Sequence, residues 1–153
     1  MLRGRPTRGF TLIEILIVVI ILGILAAIVM AAVGSNRRDA EAATFAASMK
    51  HYARCFTLYY EKYGEYPPDC EPSVYPAGME EYIDETSWTN ARPLGGQWDW
   101  DNGVFGYTCG VSVFMPQVTD ADMQAVDRLL DDGDLNTGAF RKRSQGFVYI
   151  VRP

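Results

Sequence analysis

Nineteen consecutive residues, Ile15 to Val33, contain no charge and no proline, and only Gly23 breaks their bulk. About 20 such residues, wound as a helix, reach across the hydrocarbon core of a bilayer. Glu14 stands at the mouth of this run, and Arg3, Arg5 and Arg8 precede it. A basic stretch before an apolar run also opens an ordinary secretory signal, and Ala32-Val33-Gly34 offers a loose small-x-small cleavage site. Two features oppose that reading. The run is long for a signal core, and an ionised carboxylate deep in lipid costs roughly 2.5 kcal/mol or more. A plain uncleaved anchor leaves Glu14 equally unexplained.

The order Gly9-Phe10-Thr11-Leu12-Ile13-Glu14 supplies a reason for the acid. A short basic leader ending in glycine, then phenylalanine, then glutamate four residues on, then an apolar helix, resembles the N-terminus of the type IV pilin superfamily. That superfamily includes the pseudopilins of type II secretion. The resemblance implies cleavage by a prepilin peptidase between Gly9 and Phe10 on the cytoplasmic side, followed by N-methylation of Phe10. It also implies an α+β, pilin-like fold, with one long N-terminal helix and a small C-terminal antiparallel sheet. On this reading residues 1–9 are leader, 10–33 the transmembrane half of the helix, and 34–153 a periplasmic head that includes the helix's second half.

Cleavage at Gly9 would leave a cationic amine four residues from Glu14, both at the edge of the apolar zone. Each charge is costly in lipid alone, and pairing offsets that cost. Glu14 of one subunit is expected to meet the Phe10 amine of its neighbour, which sets a register for assembly. The bland alternative is a carboxylate that snorkels to the headgroups. Thr11 is expected to cap the first turn. Many family members carry proline eight residues after the glycine that corresponds to Gly23. Ala31 stands there in this chain, and a helix without that proline keeps its hydrogen-bond ladder more easily.

Net charge excludes one class of partner. The chain stands at −5, and loss of the three leader arginines takes it to −8. Phosphate backbones are met by clustered Lys and Arg, so no nucleic acid is expected. Cys55, Cys70 and Cys109 are too few for a disulfide scaffold. They permit one bridge and one free thiol, and all three pairings stay open.

Beyond Gly34 no proline occurs until Pro67, and Phe45, Met49, Tyr52, Phe56, Tyr59 and Tyr63 recur at spacings of 4, 3, 4, 3 and 4. That is one apolar stripe on a helix. A helix from Phe10 to Tyr63 would measure about 80 Å at 1.5 Å per residue. Gly64 is placed to cap it, and Pro67-Pro68 blocks continuation. The sequence Tyr63-Gly64-Glu65-Tyr66-Pro67 also resembles the end of the long helix in major pseudopilins.

Residues 69–93 read as an exposed connection with one helical turn around Met79 to Ile83. Gly95 to Phe114 reads as a hairpin closed by Asn102-Gly103. That register sets Trp100 against Phe105 and Trp98 against Tyr107, with Cys109 on the same inward face. Thr119 to Leu130 reads as a helix capped by Thr119, with Met123, Val126 and Leu130 as its buried edge. Residues 139–143 and 147–151 form a closing hairpin around Ser144-Gln145-Gly146.

The other chemical signal is Asp131-Asp132-Gly133-Asp134-Leu135-Asn136-Thr137-Gly138. Acids at a helix C-terminus face the wrong end of its dipole. Oxygen donors at alternating positions suit Ca²⁺, which makes Asp132, Asp134 and Asn136 candidate ligands. Arg143 occupies the place of an EF-hand's bidentate glutamate, so the loop is no EF-hand. Major pseudopilins hold calcium in a C-terminal loop, and the resemblance implies the same here. Gly133 as a simple helix cap in a solvated acidic turn is the competing reading. Asp99 and Asp101 are weaker candidates.

No glycine-rich phosphate loop, nucleophile elbow or Cys-x-x-Cys is present. His51, the single histidine, lies one turn from Cys55. No catalytic constellation emerges. The expected role is structural, that of a major-type pseudopilin of a type II secretion system in the inner membrane. Its partners would be further copies of itself, the prepilin peptidase, the inner-membrane assembly platform and minor pseudopilins. The alternatives are a type IV pilin for adhesion, motility or DNA uptake, and a signal-anchored periplasmic binding domain.

Overall fold

The computed structural model describes residues 11–90 and 94–152. Gly9 and Phe10, the expected cleavage residues, lie outside the described residues. The first element, α1, runs Leu12–Tyr63. By compactness the chain divides into two units between Arg37 and Arg38.

From Ile15 to Met30 in the first unit, α1 is apolar on every side. Leu12–Met30 has a mean hydropathy of 3.3, and none of it is buried. Ile15, Ile20, Leu25 and Val29 each leave half or more of their surface open. A helix greasy all round, with none of its apolar span buried among the described residues, is built for lipid or for other helices.

The second unit is organised by the stripe on the rest of α1. Phe45, Met49 and Phe56 are fully buried and Tyr52 nearly so, while Tyr63 at the end is exposed. Gly64 ends the helix at φ 77°, a left-handed geometry that costs glycine little, and its amide bonds the Tyr60 carbonyl at 2.8 Å. The next regular element is α2, Glu85–Thr89, whose Asp84 cap accepts from the Ser87 amide. The turn at Met79–Ile83 is present, held by the Tyr82 and Ile83 amides on the Met79 carbonyl. Both Met79 and Ile83 are buried, as is Trp88 of α2. This connection is therefore part of the core and not only a surface loop.

Strands β1 (Gln97–Asn102), β2 (Cys109–Phe114), β3 (Phe140–Arg143) and β4 (Gly146–Arg152) form one antiparallel sheet in the order β1-β2-β4-β3. Helix α3, Asp120–Leu130, lies between β2 and β3 in sequence. Thr119 caps it through a reciprocal pair with Asp122, and Met123 and Val126 are buried. The β3–β4 hairpin turns on Ser144-Gln145, with Arg143 opposite Gly146. Of the expected apolar strand, Phe147 and Val148 are buried and Tyr149 to Val151 half-buried.

The first hairpin differs from the sequence expectation. Trp98 pairs with Val113, Trp100 with Val111 and Asn102 with Cys109, so residues 103–108 form a six-residue connection. Asn102 serves as a strand end and not a turn residue. Its amide donates to Asp69 Oδ1 and its side chain to the Pro67 carbonyl. The inward face opposite the tryptophans is filled by Val111, Val113 and Cys109, all fully buried. Phe105 and Tyr107 go to the outer face instead.

The aromatic face of the sheet packs on the helix stripe as the spacing predicts. Phe56 stacks on Trp100 at 3.6 Å and 7°, Phe45 stacks on Trp98 at 5.0 Å, and Tyr52 meets Trp98 and Trp88 edge-on. Rings in these geometries add about 0.5–1.5 kcal/mol per pair beyond the area they bury. The free edge of β1 is covered by residues 70–73, whose Cys70 and Ser73 amides bond the Trp100 and Trp98 carbonyls.

Candidate functional site

At the start of α1, Thr11 and Glu14 form a capping box. The Thr11 amide and hydroxyl both donate to Glu14 Oε2 at 2.8 Å, and the Glu14 amide points back to Thr11 Oγ1 at 3.4 Å. The cap expected of Thr11 is present, and the acid takes part in it. Glu14 therefore has a local partner in the single chain, on a helix whose next residues are all apolar and exposed.

The acidic stretch assembles differently from its expected ligand set. Asp132 Oδ1 accepts from the Asp134 amide and Oδ2 from the Thr137 hydroxyl, both at 2.8 Å. Asp134 Oδ1 accepts from the Asn136 amide and side chain. Asp134 Oδ1 and the Asn136 side-chain amide are thus engaged within the turn. Asp132 instead converges with Asp131 and Asp127, whose ligand atoms all lie within 4.8 Å of one another. Gly138 makes room for this. A Cβ there would fall 1.7 Å from Asp131 Oδ2, the atom that accepts from the Ala139 amide.

Asp127 is the member that the sequence reading missed. It sits on the buried side of α3 with no exposed surface, and neither carboxylate oxygen has a hydrogen-bond partner. Its pKa is raised by burial and by the charges of Asp132, Asp131 and Asp134, with the Gly133 amide acting the other way. A buried carboxylate with no well-formed hydrogen bond and only the Gly133 amide to ease it, beside two more carboxylates, is costly. A hard divalent cation would relieve it, so the residues present fit calcium. The signal available was an acid on the helix's apolar side, one turn before Asp131.

A third cluster lies on the outer face of the sheet. Arg143 Nη1 donates to both oxygens of Asp101 and Nη2 to Asp99 Oδ2, all at 2.8 Å. Their side chains are only 13%, 4% and 6% exposed. The register places Gly146 opposite Arg143 and Ser112 opposite Asp99, and the guanidinium reaches across the two strands between them. Tyr107 donates its hydroxyl to Asp101 Oδ2 at 2.9 Å, and the Phe105 ring lies 4.7 Å from the guanidinium carbon. Asp99 and Asp101, weaker candidates for calcium, are thus partners of Arg143.

Burial and the charge of Asp101 push the Asp99 pKa up to about 6 from 3.8, while Arg143 and Ser112 pull it down. The folded chain then holds that proton more tightly than the unfolded one. The cost of ionised Asp99 is absent below about pH 4 and grows as pH rises towards 6. Asp99→Asn is therefore expected to gain stability relative to the parent across that window, by up to about 3 kcal/mol, and to keep a constant difference above pH 7. Urea unfolding of both proteins at pH 4, 5, 6 and 7 measures it, and a difference that does not change with pH contradicts it.

The three thiols are free. Cys55 Sγ donates to the Tyr82 carbonyl at 3.2 Å and lies 3.7 Å from His51 Nε2. Cys70 Sγ donates to the Val74 carbonyl. Cys109 points into the core as expected, where burial raises its pKa.

Comparison with known proteins bears on the N-terminal motif and on the fold. Residues 4–30 match the family model described as the prokaryotic N-terminal methylation motif. No curated protein matches significantly. Among solved structures the chain is similar to the major type IV pilin PilA1 from Clostridium difficile, with a TM-score of 0.56 and 13% identity. That match covers 78% of this chain and 99% of the pilin. At such low identity the likeness is one of fold.

Proposed function

We propose, from the premise that this chain is type IV pilin-like in its N-terminal motif and in its fold, that it is a filament subunit anchored in the inner membrane until it polymerises. The observation that carries this is Gly9-Phe10 and Glu14 in front of an apolar helix whose span Leu12–Met30 is unburied among the described residues. Prepilin peptidase would release the Phe10 amine, and assembly would exchange the Thr11–Glu14 contact for one between that amine and the Glu14 of a neighbour. Mass spectrometry of the mature protein is expected to find methylated Phe10 at its start. A first residue of Met1 or Ser35 contradicts the reading.

Within that class, the chain best fits a major-type pseudopilin of a type II secretion system, its head in the periplasm. The Tyr63-Gly64-Glu65-Tyr66-Pro67 element supports this, together with the three acids at the end of α3. The competing reading, a pilin of a surface pilus, is favoured by the fold likeness to a major type IV pilin. Deletion separates them. A pseudopilin deletion stops export of folded proteins across the outer membrane, and a pilin deletion strips surface fibres.

The calcium proposal makes its own forecast. Ca²⁺ at 100 times its Kd would stabilise the head by about 2.7 kcal/mol. Asp127→Asn removes the charge that burial penalises, so the variant is expected to be at least as stable as the parent without Ca²⁺ and to gain much less from it. Thermal unfolding of the full chain in detergent, with Ca²⁺ and with chelator, reads both. An equal gain in parent and variant excludes Asp127 as a ligand.

A further inference from the structure

The Asp99–Asp101–Arg143 cluster forms one wall of a cavity of about 510 Å³, within the range of small-ligand sites. Asp69 and Glu71 also line it, so four carboxylates face one guanidinium. Pro72, Val104, Phe105 and Phe114 supply apolar wall. Two further observations point to an occupant. The Asp99 side chain is 6% exposed, and its Oδ1 has no hydrogen-bond partner although Oδ2 holds Arg143 and Ser112. Phe105 is 68% exposed and held at φ 56°, a left-handed backbone that a bulky residue rarely adopts.

We propose that this cavity binds an alkylammonium group, the cation donating to Asp99 Oδ1 and its carbon stem lying against Val104 and Phe105. A divalent metal fits poorly, because the guanidinium already occupies the space between the two acids. The one group of three acids that converge closely, among the described residues, is at Asp127, Asp131 and Asp132. A second guanidinium fits poorly too, since its fork seeks paired acceptors and a single oxygen is open. A compact ammonium suits one acceptor, and the exposed ring offers it a cation–π contact as well. Oδ1 is closed to bulk water, so the ligand reaches it by displacing part of the cavity wall.

The cavity lies within residues 69–145 and owes nothing to the apolar helix, so its test is independent of filament formation. The full chain in detergent micelles is titrated by calorimetry with n-butylammonium, with n-butanol as the neutral match, and with a short peptide containing one lysine beside its alanine twin. Saturable binding of the ammonium and the lysine peptide is expected, with neither n-butanol nor the alanine twin binding. Asp99→Asn and Phe105→Ala are each expected to weaken it about tenfold or more, equivalent to about 1.4 kcal/mol. Phe105 is exposed, so its truncation leaves the core intact and tests the site independently of Asp99. Binding of the lysine peptide alone assigns the ammonium to a partner protein's side chain, and binding of both admits free amines. No saturable binding, equal binding of n-butanol, or an affinity untouched by the Phe105 variant overturns the proposal.

Discussion

Arg143→Ala is expected to destabilise the head by about 3–5 kcal/mol, the usual cost of removing one partner from a buried ion pair. The guanidinium holds two carboxylates that are 4% and 6% exposed, and without it both are left facing each other. For a domain whose whole stability is of order 5–15 kcal/mol, that loss approaches unfolding. Arg143→Lys keeps the charge but cannot reach three carboxylate oxygens with a planar fork, and is expected to fall between the two. Lower pH should rescue the alanine variant in part, because Asp99 then takes up a proton and one of the two charges disappears. Urea unfolding of the full chain at pH 5 and pH 7.5 reads all of this. A loss under about 1 kcal/mol would mean that water replaces the guanidinium.

Glu14→Gln and Glu14→Ala are both expected to reduce filament formation by at least tenfold, a factor equivalent to about 1.4 kcal/mol per contact. The pair is informative because the capping box separates two roles. Glutamine still accepts from the Thr11 amide and hydroxyl, so it keeps the helix start and removes only the charge. Thr11→Ala does the reverse, weakening the cap by about 1 kcal/mol while leaving the carboxylate. Filament yield, compared by electron microscopy at matched expression, is expected to follow the charge and not the cap. Normal assembly of the glutamine variant would reduce Glu14 to a capping residue.

The helices and their faces were legible because their signals are local. A 4-3-4-3-4 stripe, a threonine before an acidic first turn and a glycine before two prolines each fix geometry within a few residues. The aromatic packing followed from those, since Trp98 and Trp100 alternate on one strand. The first hairpin misled because Asn102-Gly103 is a strong turn signal in isolation. Its pairing was decided elsewhere, by Asp69 and Pro67 holding Asn102 and by Val111 and Val113 filling the core better than Phe105 and Tyr107. The Arg143 cluster was illegible for the same reason. It joins residues more than 40 positions apart across two intervening strands. Asp127 lay nearer to hand, since an acid on the apolar side of α3 is a conflict between levels, and such conflicts gather at functional sites.

The bare apolar helix has an energetic corollary. A subunit that leaves the bilayer for a bundle of its own kind exchanges hydrocarbon tails for leucine, isoleucine and valine, and gains little from the hydrophobic effect in doing so. Growth and withdrawal of such a fibre would then lie close to balance. Its direction would then rest on the terms that remain, the relief of the Glu14 charge and the fit of one helix against the next.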